Sequence, residues 1–334
     1  MKKGLIIFIV CAVVGGVIGY TSLSLLEPTG NPQVRQILDI PEGASFSEVA
    51  QTLHDHNLIR SMEAFLWLGR LTGAERKIIP GEYEFRGGMK PSDILAKIVN
   101  GEVVQYVVMI PEGFSVVQIA DLLHHKGLAD REEFLRVVQN PEVIRGFNLQ
   151  VPHLEGYLFP DTYHFPRNLK TETIVRTMVD RLRQALTPRL LSRAAELGLS
   201  VHEVLTLASV VEKETGQPEE RGLISGVFHN RLKRKIPLQS DPTVIYALKV
   251  FDGNLRKKDL GVDSPYNTYR VRGLPPGPIA NPGAEAIEAA LYPVHTHFLY
   301  FVARNDGSHK FSATLREHNH AVRKYQLSRA RRSS

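Results

Sequence analysis

Gly4 to Leu26 is a run of 23 residues without a charged side chain, and it constrains this chain more than any other stretch. At 1.5 Å per residue such a helix reaches roughly 34 Å, enough to cross a hydrocarbon core of about 30 Å. Lys2 and Lys3 precede the run and Glu27 follows it. By the positive-inside rule, residues 1–3 stay in the cytoplasm, 4–26 form one transmembrane helix, and everything after it is exported. The expected location is therefore the cell inner membrane, single-pass, with an extracytoplasmic, periplasm-facing body. A cleaved leader would need a shorter apolar core and a small-x-small site near its end, and Thr21–Leu26 offers a poor one. Cys11 lies in mid-run after Val10, where lipidation would want a small residue. As the one cysteine, it leaves the exported part without a disulfide or a cysteine-based zinc site.

Residues 27–37 read as a linker, because Pro28, Gly30 and Pro32 stop a helix from continuing. A repeat follows. Ile40-Pro41-Glu42-Gly43 recurs as Ile110-Pro111-Glu112-Gly113, and the same offset pairs Ser45 with Ser115, Ala50 with Ala120, Leu53 with Leu123, and His54 with His124. Each copy has the pattern of strand, Pro-Glu-Gly turn and amphipathic helix, with the glycine supplying the unusual turn angle. The two histidines fall on the solvent side of their helices. Between the copies, Gly81–Phe85 alternates like a strand, Pro91–Val99 reads as a helix, and Val103–Ile110 as an apolar strand. Glu42–Ala50 also resembles the opening of a LysM module, a small glycan-binding fold. The expected fold class is α+β: the transmembrane helix, a small LysM-like α/β module over 38–106, then a mixed, helix-rich catalytic region over 107–325 and a basic tail over 326–334. Hydrophobic residues at 43% and charged ones at 23% exclude a disordered chain. The net charge of +6 comes from scattered basic residues whose densest cluster is Arg329, Arg331 and Arg332 in the tail, so no nucleic-acid-binding face is expected.

Leu199–Val204 has the features of a helix start: Ser200 as N-cap, Glu203 at the capping-box position, and Leu199 able to staple onto Val204. The apolar positions from Val204 to Val211 cover well over half of the helix circumference, so the helix is expected to be largely interior, stopped by Gly216 and Pro218. Glu212 and Glu214 close it. At about 100° per residue they lie about 200° apart, so one cleft can use only one of them. A carboxyl flanked by apolar side chains has its charged form disfavoured, and its pKa rises toward the range of a general acid. The competing reading has both acids pair with Arg221 or Lys213, and the periodicity alone leaves this open. Lys213 is expected on the polar face with His202 and Thr206, where little desolvation would activate it as a Schiff-base lysine.

The run Ala208-Ser209-Val210-Val211-Glu212-Lys213-Glu214-Thr215 resembles the signature of the YceG-like family of endolytic murein transglycosylases. The resemblance extends through Glu155–Tyr163, Val227–Leu232, Leu238–Tyr246, Tyr266–Tyr269, Gly273–Gly283 and Leu299–Ala303. It implies cleavage of the β-1,4 bond between N-acetylmuramic acid and N-acetylglucosamine within peptidoglycan strands, without water, leaving 1,6-anhydro ends. The family's catalytic glutamate maps to Glu214, and Glu214-Thr215 is similar to the Glu-Ser pair of other lytic transglycosylases. Gln239, Ser240, Asp241, Tyr246, Tyr266 and Asn267 are candidates for contacts to the sugars, or equally for holding loops. Glu155 is the best candidate for a second carboxylate at the sugars, or else pairs with a nearby Arg or His. Peptidoglycan, the membrane and cell-wall synthesis proteins are the expected partners. With no Gly-rich phosphate loop, HExxH-type helix or cysteine pair, neither cofactor nor metal is expected. The alternatives are a muramidase-type hydrolase with a second acid, and a membrane-anchored peptidoglycan-binding or assembly factor.

Overall fold

A computed structural model describes residues 25–248, 250–304 and 306–327. The expected cytoplasmic residues 1–3, residues 4–24 of the expected span and 328–334 of the tail lie outside the described residues. Among those described, no single helix is long and apolar enough to cross a membrane. The chain divides into two compact units. The first comprises residues up to Tyr106 together with His164–Asn168, and the second Val107–Tyr163 with Leu169 onward.

In the first unit, β1 (Arg35–Ile40) starts inside the stretch expected as linker and leads through the Pro-Glu-Gly turn into α1 (Phe46–Asp55). Gly43 takes a φ of +84° there, and Ser45 and Glu48 close a reciprocal capping box. Next come α2 (Met62–Thr72), β2 (Gly81–Arg86) and α3 (Pro91–Asn100). The two strands pair antiparallel, from Arg35 opposite Arg86 to Ile40 opposite Gly81. The period of two puts Tyr83 and Phe85 on one face of β2, where they meet Leu38, Leu53, Ile94 and Ile98 in a closed core. Burying each such side chain contributes roughly 1.5–3 kcal/mol. Gly69 of α2 lets the helix approach the Phe46 ring, which a Cβ would meet at 2.1 Å.

The second unit takes in the later part of β3 (Tyr106–Met109), shorter than the expected 103–110 strand. The second copy of the repeat then opens α4 (Val116–His125), with Gly113 at a φ of +73° and a Ser115–Gln118 capping box. His54 and His124 are both exposed, as their helical positions predict. Then follow α5 (Arg131–Val137), α6 (Pro141–Gly146), the first two residues of β4 (Thr162–Phe165), α7 (Thr171–Ala185) and α8 (Pro188–Glu196). The central helix is α9 (Val201–Glu214), in which Val204 through Val211 are all buried. It packs against α10 (Pro218–Lys233), α11 (Asp241–Ala247) and α12 (Ala284–Leu291). An antiparallel hairpin, β5 (Tyr300–Ala303) and β6 (His309–Ser312), and α13 (Leu315–Val322) complete the unit.

The expected polar face of α9 is a correction. Thr206 is 1% exposed and satisfies its hydroxyl on the carbonyl of His202 at 2.6 Å. The His202 ring bridges the Tyr157 hydroxyl and the Pro276 carbonyl at 2.9 and 2.8 Å. A face polar in sequence is thus covered by chain far away in sequence. Lys213 alone of the three is exposed, donating to the Gly113 carbonyl at 3.2 Å.

Candidate active site

The capping box at Ser200 starts α9, and its buried flank carries the chain to Glu214, the last helical residue. Thr215 then turns extended, with φ −143° and ψ 138°. The two acids part as the helical wheel requires. Glu212 accepts from the Gly283 amide at 3.0 Å and pairs with Arg221 at 3.4 Å, so the competing, structural reading holds for it. Arg221 also pairs with Glu112 and Glu285.

Glu214 has a different setting. It lines a cleft of about 450 Å³ and pairs directly with neither Arg221 nor Lys213. Its Oε1 accepts a hydrogen bond of 2.5 Å from the Ser240 hydroxyl. Burial pushes its carboxyl up to about 7; the Ser240 bond and the Arg231 charge oppose the rise, and Asp241 adds to it. The hydroxyl beside the acid therefore comes from Ser240, not from Thr215. Thr215 Oγ1 instead accepts from the Gln217 amide at 2.9 Å, closing the turn after the helix.

Ser240, 1% exposed, is itself held: its amide donates to Thr268 Oγ1 at 3.0 Å, and its carbonyl accepts from Thr243 Oγ1 at 2.6 Å. Gln239 reaches the cleft with a φ of +48°, a left-handed angle unusual for a side-chain-bearing residue. Its amide donates to the Thr268 carbonyl at 3.1 Å. Asp241 also lines the cleft and accepts from the Tyr269 hydroxyl at 2.6 Å. Four expected residues, Glu214, Gln239, Ser240 and Asp241, thus come together.

Glu155, Tyr246 and Tyr266 form a separate cluster. Tyr246 and Tyr266 have ring centroids 4.9 Å apart, and burial together with the Glu155 charge pushes both hydroxyls up. Glu155 is 4% exposed and lies, with Tyr246, on a second cavity of about 430 Å³. It was expected either at the sugars or paired with an Arg or His. It instead accepts from the Val116 amide, at the start of α4, at 3.0 Å and from Asn281 Nδ2 at 3.1 Å. Asn267 is fully buried and braces its own loop: Nδ2 donates to the carbonyls of Leu260 and Val262 at 3.0 and 2.8 Å, and Oδ1 accepts from the Tyr269 amide at 3.0 Å.

Burial raises Glu155 from the ordinary 4.5 to about 7. The folded chain then holds a proton that the unfolded chain releases, so the stability it contributes is full below about pH 4.5 and is lost as pH rises through 7. Glu155→Gln can keep the acceptor Oε1 without ionising. Denaturant titrations should show little difference from wild type at pH 5, and a relative gain of about 3 kcal/mol at pH 8.

Three residues at the cleft were not among the candidates, although Arg231 lies within the matching run Val227–Leu232. Arg231, 7% exposed, donates to the carbonyls of Leu299 (2.6 Å), Leu238 (2.8 Å) and Pro237 (3.2 Å), and its guanidinium lies 5.1 Å from the Tyr300 ring centroid. Beside it on α10, Asn230 holds the carbonyls of Thr296 and Phe298 and His229 that of Ala290. The run 229–231 thereby fastens the segment 290–299 that leads into β5, one wall of the cleft. His309, bonded to Glu220 at 2.6 Å, and His318 line the cleft from β6 and α13. Among the described residues there is no group of His, Cys, Asp and Glu able to hold a metal ion.

A carboxyl poised near neutrality at the end of a buried helix, facing an open cleft with amide, imidazole and tyrosine walls, is equipped for acid–base chemistry on a polar, extended substrate. The chain belongs to the YceG-like family, whose profile matches residues 38–324. A Bacillus subtilis protein named endolytic murein transglycosylase is 36% identical over 330 residues, covering 94% of this chain and 91% of that protein. One of the same name from Streptococcus pneumoniae is 32% identical, and the match covers 89% of this chain but 60% of the longer pneumococcal protein. A crystal structure of a YceG-like protein from Listeria monocytogenes aligns with a TM-score of 0.60 at 34% identity, covering 86% of this chain and 98% of that one.

Proposed function

We propose that the chain is an endolytic murein transglycosylase, cleaving the MurNAc-β-1,4-GlcNAc bond inside peptidoglycan strands, with Glu214 as its catalytic residue. The observation that carries this reading is the Glu214 carboxyl, raised to about 7 and open to the cleft. With the Ser240 hydroxyl assigned as donor to Oε1, Oε2 is the oxygen left to carry the transferable proton. Protonated Glu214 gives that proton to the glycosidic oxygen as the C1–O4 bond breaks. The carboxylate so formed takes the proton of the muramyl C6 hydroxyl, whose oxygen bonds to C1 of the same sugar and closes the 1,6-anhydro ring. Atoms balance without water, and Glu214 ends protonated again. Since the nucleophile belongs to the substrate, its effective concentration is high without an enzyme nucleophile.

A hydrolase of the ordinary kind needs a second carboxylate about 5 Å or 6.5–9.5 Å away. Asp241 on the cleft is engaged by Tyr269, and Glu155 is engaged by the Val116 amide and Asn281. The deciding experiment incubates the full chain, in detergent, with uncrosslinked glycan and weighs the products. Anhydro-ended fragments are expected; reducing ends, heavier by one water, would establish the hydrolase instead.

The same proposal includes an inner-membrane anchor at 4–26, supported by the charge-free run after Lys2 and Lys3. It also includes a LysM-like, glycan-binding first unit, supported by its strand–helix–helix–strand order.

A further inference from the structure

His318 sits on α13, more than a hundred positions after Glu214, yet it lines the same cleft. Its ring stacks on Tyr300, with centroids 5.2 Å apart and planes 26° from parallel, and Arg231 lies over that same tyrosine ring. The Nδ1 atom is buried with no hydrogen-bond partner. A buried ring nitrogen without an acceptor beside it is far less costly as a bare lone pair than as an N–H, so the proton belongs on Nε2. With Nδ1 sealed off, Nε2 is the nitrogen the cleft can reach. Burial and the nearby Arg231 charge both hold the imidazole below its ordinary pKa, which keeps it neutral at neutral pH. The other cleft histidine differs, because Glu220 engages both the ring and the amide of His309.

We propose that His318 is a substrate-binding residue that donates from Nε2–H to a hydroxyl or N-acetyl oxygen of the sugar held beside Glu214. This rests on the glycan-cleaving reading above. The stack on Tyr300 fixes the ring plane, so the donor is aimed before the sugar arrives and little ordering is left to the binding step.

The test uses the full chain in detergent and compares H318Q, H318N and H318A on uncrosslinked glycan. A glutamine amide N–H falls near the position of Nε2, whereas that of asparagine falls near Nδ1. The expected result is kcat/KM within about threefold of wild type for H318Q and roughly tenfold lower for H318N and H318A, chiefly through KM, with unfolding temperatures unchanged. Three variants indistinguishable from wild type, or all three equally impaired, would overturn the assignment. The tautomer is read independently by nitrogen-15 NMR of histidine-labelled wild type at pH 7, the signal lost in H318Q being that of His318. A neutral ring protonated at Nε2 supports the proposal; an Nδ1–H ring or an imidazolium overturns it. A wild-type chain that leaves glycan intact would defeat the proposed function itself, whereas an active wild type with indifferent variants defeats only the role of His318.

Discussion

Glu214→Gln is expected to abolish release of anhydro-ended fragments, lowering the rate by about a thousandfold or more, with the unfolding temperature unchanged or slightly raised. A positioned general acid typically contributes 10²–10⁴-fold, and here one group both gives and takes the proton. Glutamine retains an Oε1 that can accept from Ser240, so the local geometry survives while the transferable proton is lost. The wild-type pH profile should carry a single limb. The reactive form is the protonated carboxyl, so the rate is level in mild acid and falls as pH rises through about 7. No separate base has to ionise, since the carboxylate arises within the reaction. A Glu214→Gln chain that still produces anhydro ends would place the chemistry elsewhere.

Arg231→Met should cost about 3 kcal/mol or more in stability and most of the activity. It removes a buried cation that satisfies the carbonyls of Pro237, Leu238 and Leu299, and these oxygens stay buried without a donor. It also removes the positive charge that holds the Glu214 pKa down, so the alkaline limb of whatever activity remains should move to higher pH. Arg231→Lys separates the two effects. An ammonium keeps the charge but lacks the planar fork that reaches the 237–238 and 299 carbonyls together, so stability should fall while the limb stays near its wild-type position. Denaturant midpoints and rate–pH profiles of the two variants read these outcomes directly. A limb unmoved in the methionine variant would show that Arg231 serves packing alone.

Local rules made the framework legible. Ser45, Ser115 and Ser200 announce their helices because a capping box is written within four consecutive residues. The separation of Glu212 from Glu214 follows from helical geometry alone. The resemblance chose between them, and the structure adds that Glu212 is engaged by Arg221 and the Gly283 amide while Glu214 faces the cleft. What escaped notice are contacts across long stretches of chain. Ser240 reaches Glu214 over 26 positions, and Asn281 joins Glu155 over 126. Asn281 also accepts from the Leu158 amide and donates to the Phe114 carbonyl, a clip that composition and periodicity do not encode. Thr206 misled for the same reason: its helix predicts a polar face, and only the tertiary fold covers that face.

The acid and the wall across from it have different structural origins. Glu214 ends a helix whose residues Val204 through Val211 are all buried, while β5, β6 and α13 reach the cleft from the last described stretch of chain. A proton donor seated on a closely packed helix can tolerate drift in the margin it faces. Selectivity for sugar substituents is therefore free to diverge between relatives, or to be retuned by engineering residues 300–326, without rebuilding the reactive centre.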